Sequence, residues 1–294
     1  MIRVKRKPIP KKLADEAKQE LAEARRHFEE DGKVDGFKFL AFRADGVADA
    51  LNIMFSGKCA YCESSIRAVH PTDIEHYRPK SEVLIDNKRT KPGYYWLAGE
   101  WDNLLASCIF CNRPNRTYLP SGLRETLGKG VHFPLAPGSV RARKYGDKLS
   151  LEKPLLLNPC GKEDPRKHLM FLANGQVVAR NNSLFGQASI RILALQRPGL
   201  ITARHQHALN VEFDLDQVIE CAVKAKTDSV ARDGLGPRLR HLASYLNSTR
   251  PYIALAMDLI ERRQPGLVRA LPHIAAQVAK KRARTAAPSP EPVS

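Results

Sequence analysis

Residues 72–80, Thr-Asp-Ile-Glu-His-Tyr-Arg-Pro-Lys, lie between two Cys-x-x-Cys pairs, Cys59-Ala-Tyr-Cys62 and Cys108-Ile-Phe-Cys111, and the second pair runs directly into Asn112. Two thiolates at this spacing sit on one tight turn and can face a single ion. Two such turns complete a tetrahedral shell of four cysteines, the closed form of a structural zinc site. Cys62 and Cys108 are separated by 45 residues, so the intervening chain must be a substructure whose two ends the metal pins together. The competing readings are two unrelated buried cysteine pairs, since cysteine is commonly buried, and a redox pair. The redox reading is disfavoured, because neither pair follows a strand-then-helix pattern. Cys160 and Cys221 stand alone and read as ordinary core residues.

Working outward, residues 13–30 space their apolar positions three and four apart and predict an amphipathic helix. A second helix is predicted over 36–55, stopped by Ser56-Gly57. Residues 72–78 read as extended and closed by Pro79, 81–95 as a polar loop, and 131–135 as strand-like. Pro114, Pro120 and Gly122 suggest an insertion after the second cysteine pair. Residues 136–183 read as strands and loops. Helices are predicted over 189–195, 200–213, 215–226, 238–246 and 252–263, with Pro198 and Pro251 at helix starts, where proline is tolerated. The tail from Arg282 has a disordered composition.

The chain has 294 residues and a formal charge of +17, of which residues 136–294 carry +12. So basic a balance points to a polyanionic partner, nucleic acid above all, with solubility alone as the bland reading. A hydrophobic fraction of 43% excludes a wholly disordered chain. No run approaches the roughly 18 apolar residues of a membrane span, and no apolar stretch follows the basic N-terminus. A cytoplasmic protein with no membrane partner is expected, and in that compartment paired cysteines bind metal rather than form disulfides.

The segment between the cysteine pairs carries an acid followed by histidine, Glu75-His76, then Asn103 within Trp101-Asp102-Asn103-Leu104-Leu105, then Asn112 after the second pair. Hydrolysing a phosphodiester needs a base for water, a cation against the phosphate charge and a stabilised leaving oxygen. Neutral imidazole is suited to the first task near pH 7. Glu75 and Asn112 offer hard oxygens suited to Mg2+ or Mn2+. Arg78 and Lys80 lie beside the histidine and are placed to bind phosphate oxygens. Each residue also has a plain structural reading: Asn103 as a turn residue, Asn112 as a helix cap, Arg78 and Lys80 as solvated charges, and Trp101 as core.

This order of residues resembles the HNH, or ββα-metal, endonuclease family. The resemblance implies His76 as general base, a catalytic divalent ion between Glu75 and Asn112, and Asn103 as the residue that holds the hairpin backbone. Glu75 stands where the family often has Asp, which leaves open whether Glu75 or Asp73 holds the metal. The segments DIEHYRPK, GYYWLAGEWDNLLASC, HFPLA, LLLNPCGKEDP, ASIRILALQRPGLITARH and STRPYIALAMDLI are similar to the HNH subunit of Septu-type antiphage defence systems, which also accompanies some retrons. That likeness implies a partner ATPase of the SMC/ABC type and a nuclease that cuts DNA when triggered.

The expected fold is therefore α+β: an N-terminal helical segment over 1–55, an HNH core with its zinc clamp over 56–135, a mixed then helical region over 136–270, and a basic, partly disordered tail over 271–294. The alternative function is a zinc-containing subunit that binds nucleic acid or recruits an ATPase without cutting. The ordered set of Glu75, His76, Asn103 and Asn112 separates the two, because a pure binder does not need it.

Overall fold

The computed structural model describes residues 1–66, 70–267, 269 and 271. The expectation of a partly disordered tail over 271–294 falls, beyond Leu271, outside the described residues.

Helix α1 spans Lys11–Arg25, buries Leu13 and Ala24, and continues as a wider turn over Arg26–Glu30. The helix predicted over 36–55 shortens to α2, Val47–Phe55. Gly36 and Gly46 both have a φ of 83°, the left-handed region that a helix does not admit. Phe37 and Phe39 instead pack beside Phe28, with ring centroids at 5.9 and 6.3 Å. The helix stops at Ser56 and Gly57, which turn left-handed at 54° and 69°.

Strand β1, Asp73–His76, is followed by a hairpin of β2, Val83–Ile85, and β3, Lys88–Thr90. This hairpin replaces the loop predicted over 81–95. It turns at Asp86-Asn87, both left-handed, as a two-residue hairpin turn of this twist requires. Strand β4, Leu104–Ser107, is buried throughout and pairs antiparallel with β1, Asp73 opposite Ser107 and His76 opposite Leu104. Through Cys108 it enters the one-turn helix α3, Ile109–Asn112. Strands β5, Asn115–Tyr118, and β6, Arg124–Leu127, form a further hairpin where an insertion was expected. The strand expected over 131–135 is not formed; two isolated bridges, Leu84 to His132 and Leu135 to Pro154, stand there.

Strands β7, Leu169–Phe171, and β8, Val177–Ala179, close the mixed region. Helix α4, Leu184–Ile192, is capped by the Ser183 hydroxyl. The two helices predicted over 200–213 and 215–226 are one, α5, Pro198–Lys224. Leu200, Ala208, Val211, Leu215 and Val218 keep one buried stripe across the expected break. Helix α6 spans Ser229–Ser244, starting earlier than predicted, because Asp228 accepts the Val230 and Ala231 N–H groups as an N-cap. Helix α7, Ile253–Arg263, is buried along most of its length.

Among the described residues the architecture is α+β, with seven α-helices and four two-stranded antiparallel sheets. No described helix is long and apolar enough to cross a membrane. One buried cluster runs from Leu13 and Leu51 through Tyr61, Leu105 and Phe133 to Leu157, Leu215 and Leu259. The N-terminal arm is tied into it by Val4 N–H to Pro159 O at 2.8 Å, Arg6 to Leu104 O at 2.6 Å and Trp101 Nε1 to Lys7 O at 2.8 Å.

Candidate functional site

The turn carrying Cys59 and Cys62 is closed by Cys59 N–H to Ser64 O at 2.9 Å and Glu63 N–H to Cys59 O at 3.0 Å. The second pair brackets α3, with the N–H groups of Cys111 and Asn112 on Cys108 O at 3.1 and 3.0 Å. All four sulfurs are buried and lie within 4.8 Å of one another, with Cys62 and Cys108 at 3.8 Å. Sulfurs on a tetrahedral zinc with bonds of about 2.3 Å stand about 3.8 Å apart, so the four residues fit the ion.

A four-thiolate zinc centre carries two net negative charges, and the start of α5 supplies counter-charge. The Arg197 guanidinium lies 3.5 Å from Cys62 Sγ, 3.6 Å from Cys111 Sγ and 3.8 Å from Cys108 Sγ. Burial alone would lower its affinity for the proton, but the thiolates of Cys111, Cys62 and Cys108 outweigh this and raise it. Arg204, further along the same helix, is pushed down to about 10 by burial, with Cys62 pulling the other way. The helical region thus forms one wall of the cysteine site.

Alternation along β1 puts Asp73 and Glu75 on one face and His76 on the other. His76 Nε2 is 3.0 Å from Ala98 O. A carbonyl only accepts, so Nε2 carries the proton and Nδ1 keeps its lone pair. The edge of His76 packs on Phe42, ring centroids 4.7 Å apart, and Lys80 Nζ stands 3.5 Å from Nδ1. Burial, and then the Lys80 ammonium, holds the imidazole well below the ordinary histidine range. Lys80 is itself lowered by burial and rests over the Phe42 ring at 4.6 Å.

Glu75 is 4% exposed and forms an ion pair with Lys129, which is wholly buried. Lys129 Nζ donates to His76 O at 2.7 Å, so one ammonium ties the Glu75 carboxylate to the backbone that carries the histidine. Burial pushes the Glu75 carboxyl up, and Lys129 only partly restores it. Asn112 Nδ2 donates to Asp73 Oδ2 at 3.1 Å, and Arg113 forks the same carboxylate at 2.9 and 2.7 Å.

Asn103 is buried and bridges the chain that leaves β1. Its Oδ1 accepts Arg78 N–H at 2.7 Å, its Nδ2 donates to Arg78 O and Leu97 O at 3.0 Å each, and its own carbonyl accepts Tyr77 N–H at 2.8 Å. Arg78 turns away from His76 to buried Glu152 at 2.8 Å and lies over the Phe133 ring at 5.3 Å. Lys80, not Arg78, is the cation brought to the histidine.

No family model matches the chain. The chain is similar to Septu proteins. Over 186 residues it is 39% identical to Septu protein PtuB of Bacillus mycoides (strain KBAB4), covering 63% of this chain and 58% of that protein. Over 154 residues it is 29% identical to Septu protein PtuA of the same strain, covering 52% of this chain and 19% of that protein. The chain thus spans less than two thirds of the length of either curated relative.

Sequence reasoning missed Lys129, Arg197, the Ala98 carbonyl and the Phe42 ring. Only Lys129 had a local signal, its place between Gly128 and Gly130. Both glycines have positive φ, and a Cβ on Gly128 would collide with Arg113 O. That close approach sends Lys129 N–H to Cys111 O at 2.8 Å and Gly130 N–H to Asn112 O at 2.6 Å, which threads the lysine under α3 to Glu75.

Proposed function

We propose that this chain is an HNH-type endonuclease that hydrolyses phosphodiester bonds of DNA. In this reading it acts as the effector nuclease of a Septu-type antiphage defence system alongside an SMC/ABC-type ATPase. Two supports are the ordered Glu75, His76, Asn103 and Asn112 set and the similarity to Septu proteins. The observation that carries the chemistry is His76, fixed by Ala98 O in the tautomer that leaves Nδ1 unprotonated and held neutral by burial and Lys80.

In this mechanism His76 Nδ1 takes the proton of the attacking water. Lys80 receives a phosphate oxygen and keeps the imidazole from being protonated beforehand. Asn103 holds residues 77 and 78 so that the imidazole keeps its direction. Glu75 Oε1 is held by the Lys129 ammonium, and no described residue bonds Asn112 Oδ1, so the two residues offer hard oxygens suited to Mg2+ or Mn2+. A divalent ion held by Glu75 and Asn112 would neutralise charge on the phosphate and the leaving oxygen. Lys129 would yield its place beside Glu75. Asp73 is the weaker ligand, being forked by Arg113. The zinc at Cys59, Cys62, Cys108 and Cys111 is structural and takes no part in the chemistry.

The test is Mg2+-dependent nicking of supercoiled plasmid by His76→Ala. A general base contributes roughly 100- to 10,000-fold, so the rate should fall at least about 100-fold; undiminished nicking refutes the assignment. A second reading, a zinc module that binds nucleic acid without cutting, is favoured by one observation: Glu75 and Asp73 are already paired with Lys129 and Arg113. DNA binding with no nicking in Mg2+ or Mn2+ by the parent chain would establish it.

A further inference from the structure

The β5–β6 hairpin follows α3 directly, and its two faces differ sharply. Asn115, Thr117, Glu125 and Leu127 turn inward; Arg116, Tyr118, Arg124 and Thr126 turn outward and are exposed. The inner face is anchored. Leu127 is buried, Glu125 pairs with Arg191 at 2.9 Å, and Gly128 N–H donates to Ile192 O at 3.1 Å. The outer face carries two arginines and no acid. Tyr118 stands opposite Arg124 in register, 53% exposed, with the guanidinium 5.5 Å over its ring. Arg113, 64% exposed at the hairpin's root, extends the positive edge toward Asp73.

We propose that this outward face is a DNA-contacting ribbon, lying against a duplex and delivering it to the candidate site. The polymer's identity as DNA rests on the endonuclease reading; the polyanion rests on the face itself. A two-stranded β-ribbon fits the major groove, which is about 12 Å wide. Arg116 and Arg124 take phosphate or base-edge acceptors, and Tyr118 supplies a flat contact that Arg124 pre-orients. A duplex offers the arginines a phosphate about every 1.7 Å of its axis, a denser and more regular counter-charge than the carboxylates of a protein surface. Two residues past the hairpin's last strand stands Lys129, which touches Glu75 and His76 O, so a duplex held on the hairpin is tethered to the candidate site.

The experiment is fluorescence anisotropy of a labelled duplex, with matched single-stranded DNA as a second probe, across a salt series. The full chain carries His76→Ala so that the probe stays intact. Arg116→Gln/Arg124→Gln is expected to weaken duplex binding at least about tenfold and to lower the salt slope by about two, with melting unchanged because these side chains are exposed. Tyr118→Ala is expected to weaken binding without altering the slope. Unchanged affinity and slope in both variants overturn the proposal. Single-stranded binding that is tighter than duplex binding and lost mainly with Tyr118→Ala also overturns it. Unchanged DNA affinity with lost capture of a co-expressed partner protein overturns it in favour of a protein dock. Hairpin-dependent duplex binding in a chain whose parent never nicks DNA leaves this inference standing and sinks the endonuclease reading, so the two failures are distinguishable.

Discussion

Lys129→Met removes the ammonium that touches both the Glu75 carboxylate and the His76 carbonyl, at a position that is wholly buried. Methionine keeps the volume and drops the charge, which leaves a buried carboxylate without its partner. Breaking a buried ion pair on one side costs about 3–5 kcal/mol. Near the melting point that is roughly a 10 °C loss for a chain of this size. The penalty depends on pH in a definite direction. Burial already raises the Glu75 carboxyl, and losing Lys129 raises it further. Unfolded glutamate ionises near 4.3, so between there and the raised folded value the folded state holds an extra proton. Stability then falls as pH rises, and the defect should be small near pH 4.5 and larger at pH 7. Glu75→Gln in the Lys129→Met background should restore most of the loss. Urea unfolding at pH 4.5, 6 and 7 measures all of this. Millimolar Mg2+ should stabilise Lys129→Met more than the parent, because an ion can then take the vacated place beside Glu75. A variant within about 1 kcal/mol of the parent at pH 7, well under the cost of a broken buried pair, refutes the assignment of Lys129 as the counter-charge of Glu75. An equal loss at every pH refutes it too.

Two further outcomes follow from the site. His76 is held well below the ordinary histidine range, so the base stays unprotonated down through that range: the pH–rate profile of plasmid nicking should be level from pH 8 to pH 6.5 and fall only at lower pH. An acid limb centred near 6.5, where free histidine titrates, would show His76 to be an unperturbed base or not the base at all. Arg197→Gln should leave the four thiolates in place and remove their nearest counter-charge. Zinc should therefore pass to a chromogenic chelator at least about tenfold faster, as expected when an outer partner of a metal site is lost, with Arg197→Lys in between. Equal release rates would mean that the guanidinium only packs against the sulfurs.

What could be read from sequence was what local chemistry decides. The four cysteines announce themselves because thiolate spacing alone aims sulfur at one ion. The β1–β4 pairing, by contrast, could not have been shown by any periodicity in the short DIEH segment. The expected helix over 36–55 failed at Gly36 and Gly46, whose left-handed backbone no periodicity shows, and at Phe37 and Phe39, which pack beside the distant Phe28. The hairpin at Asp86-Asn87 had a turn signal, obscured by the polar residues around it. Arg78 illustrates the limit most clearly. Its position beside His76 suggested phosphate binding, yet Glu152, 74 residues away, holds it at 2.8 Å. The partners of Lys129 and Arg197 were hidden for the same reason, being distant in sequence: the glycines around Lys129 mark a close approach but not its target, and a lysine buried this deeply is rare.

The positions of these distant cations make the cysteine site and the histidine site one mechanical unit with separable parts. A four-residue helix has no stability of its own in water, so α3 holds its direction through Cys108 and Cys111. Everything hung on α3 inherits that direction: Asn112 on Asp73, the Arg113 fork, the Lys129 strut through Cys111 O, and the root of the β5–β6 hairpin. The side chains of His76, Asn103 and Phe42, with the Ala98 carbonyl, form a second set whose contacts run within 76–103 and to the segment before α2, joined to the first where Lys129 Nζ meets His76 O. Losing the zinc would therefore loosen the acid side and the ribbon while leaving the base in its tautomer. The cysteine turns set the direction of α3 and of what hangs on it, whereas the bond that fixes the His76 tautomer lies outside them.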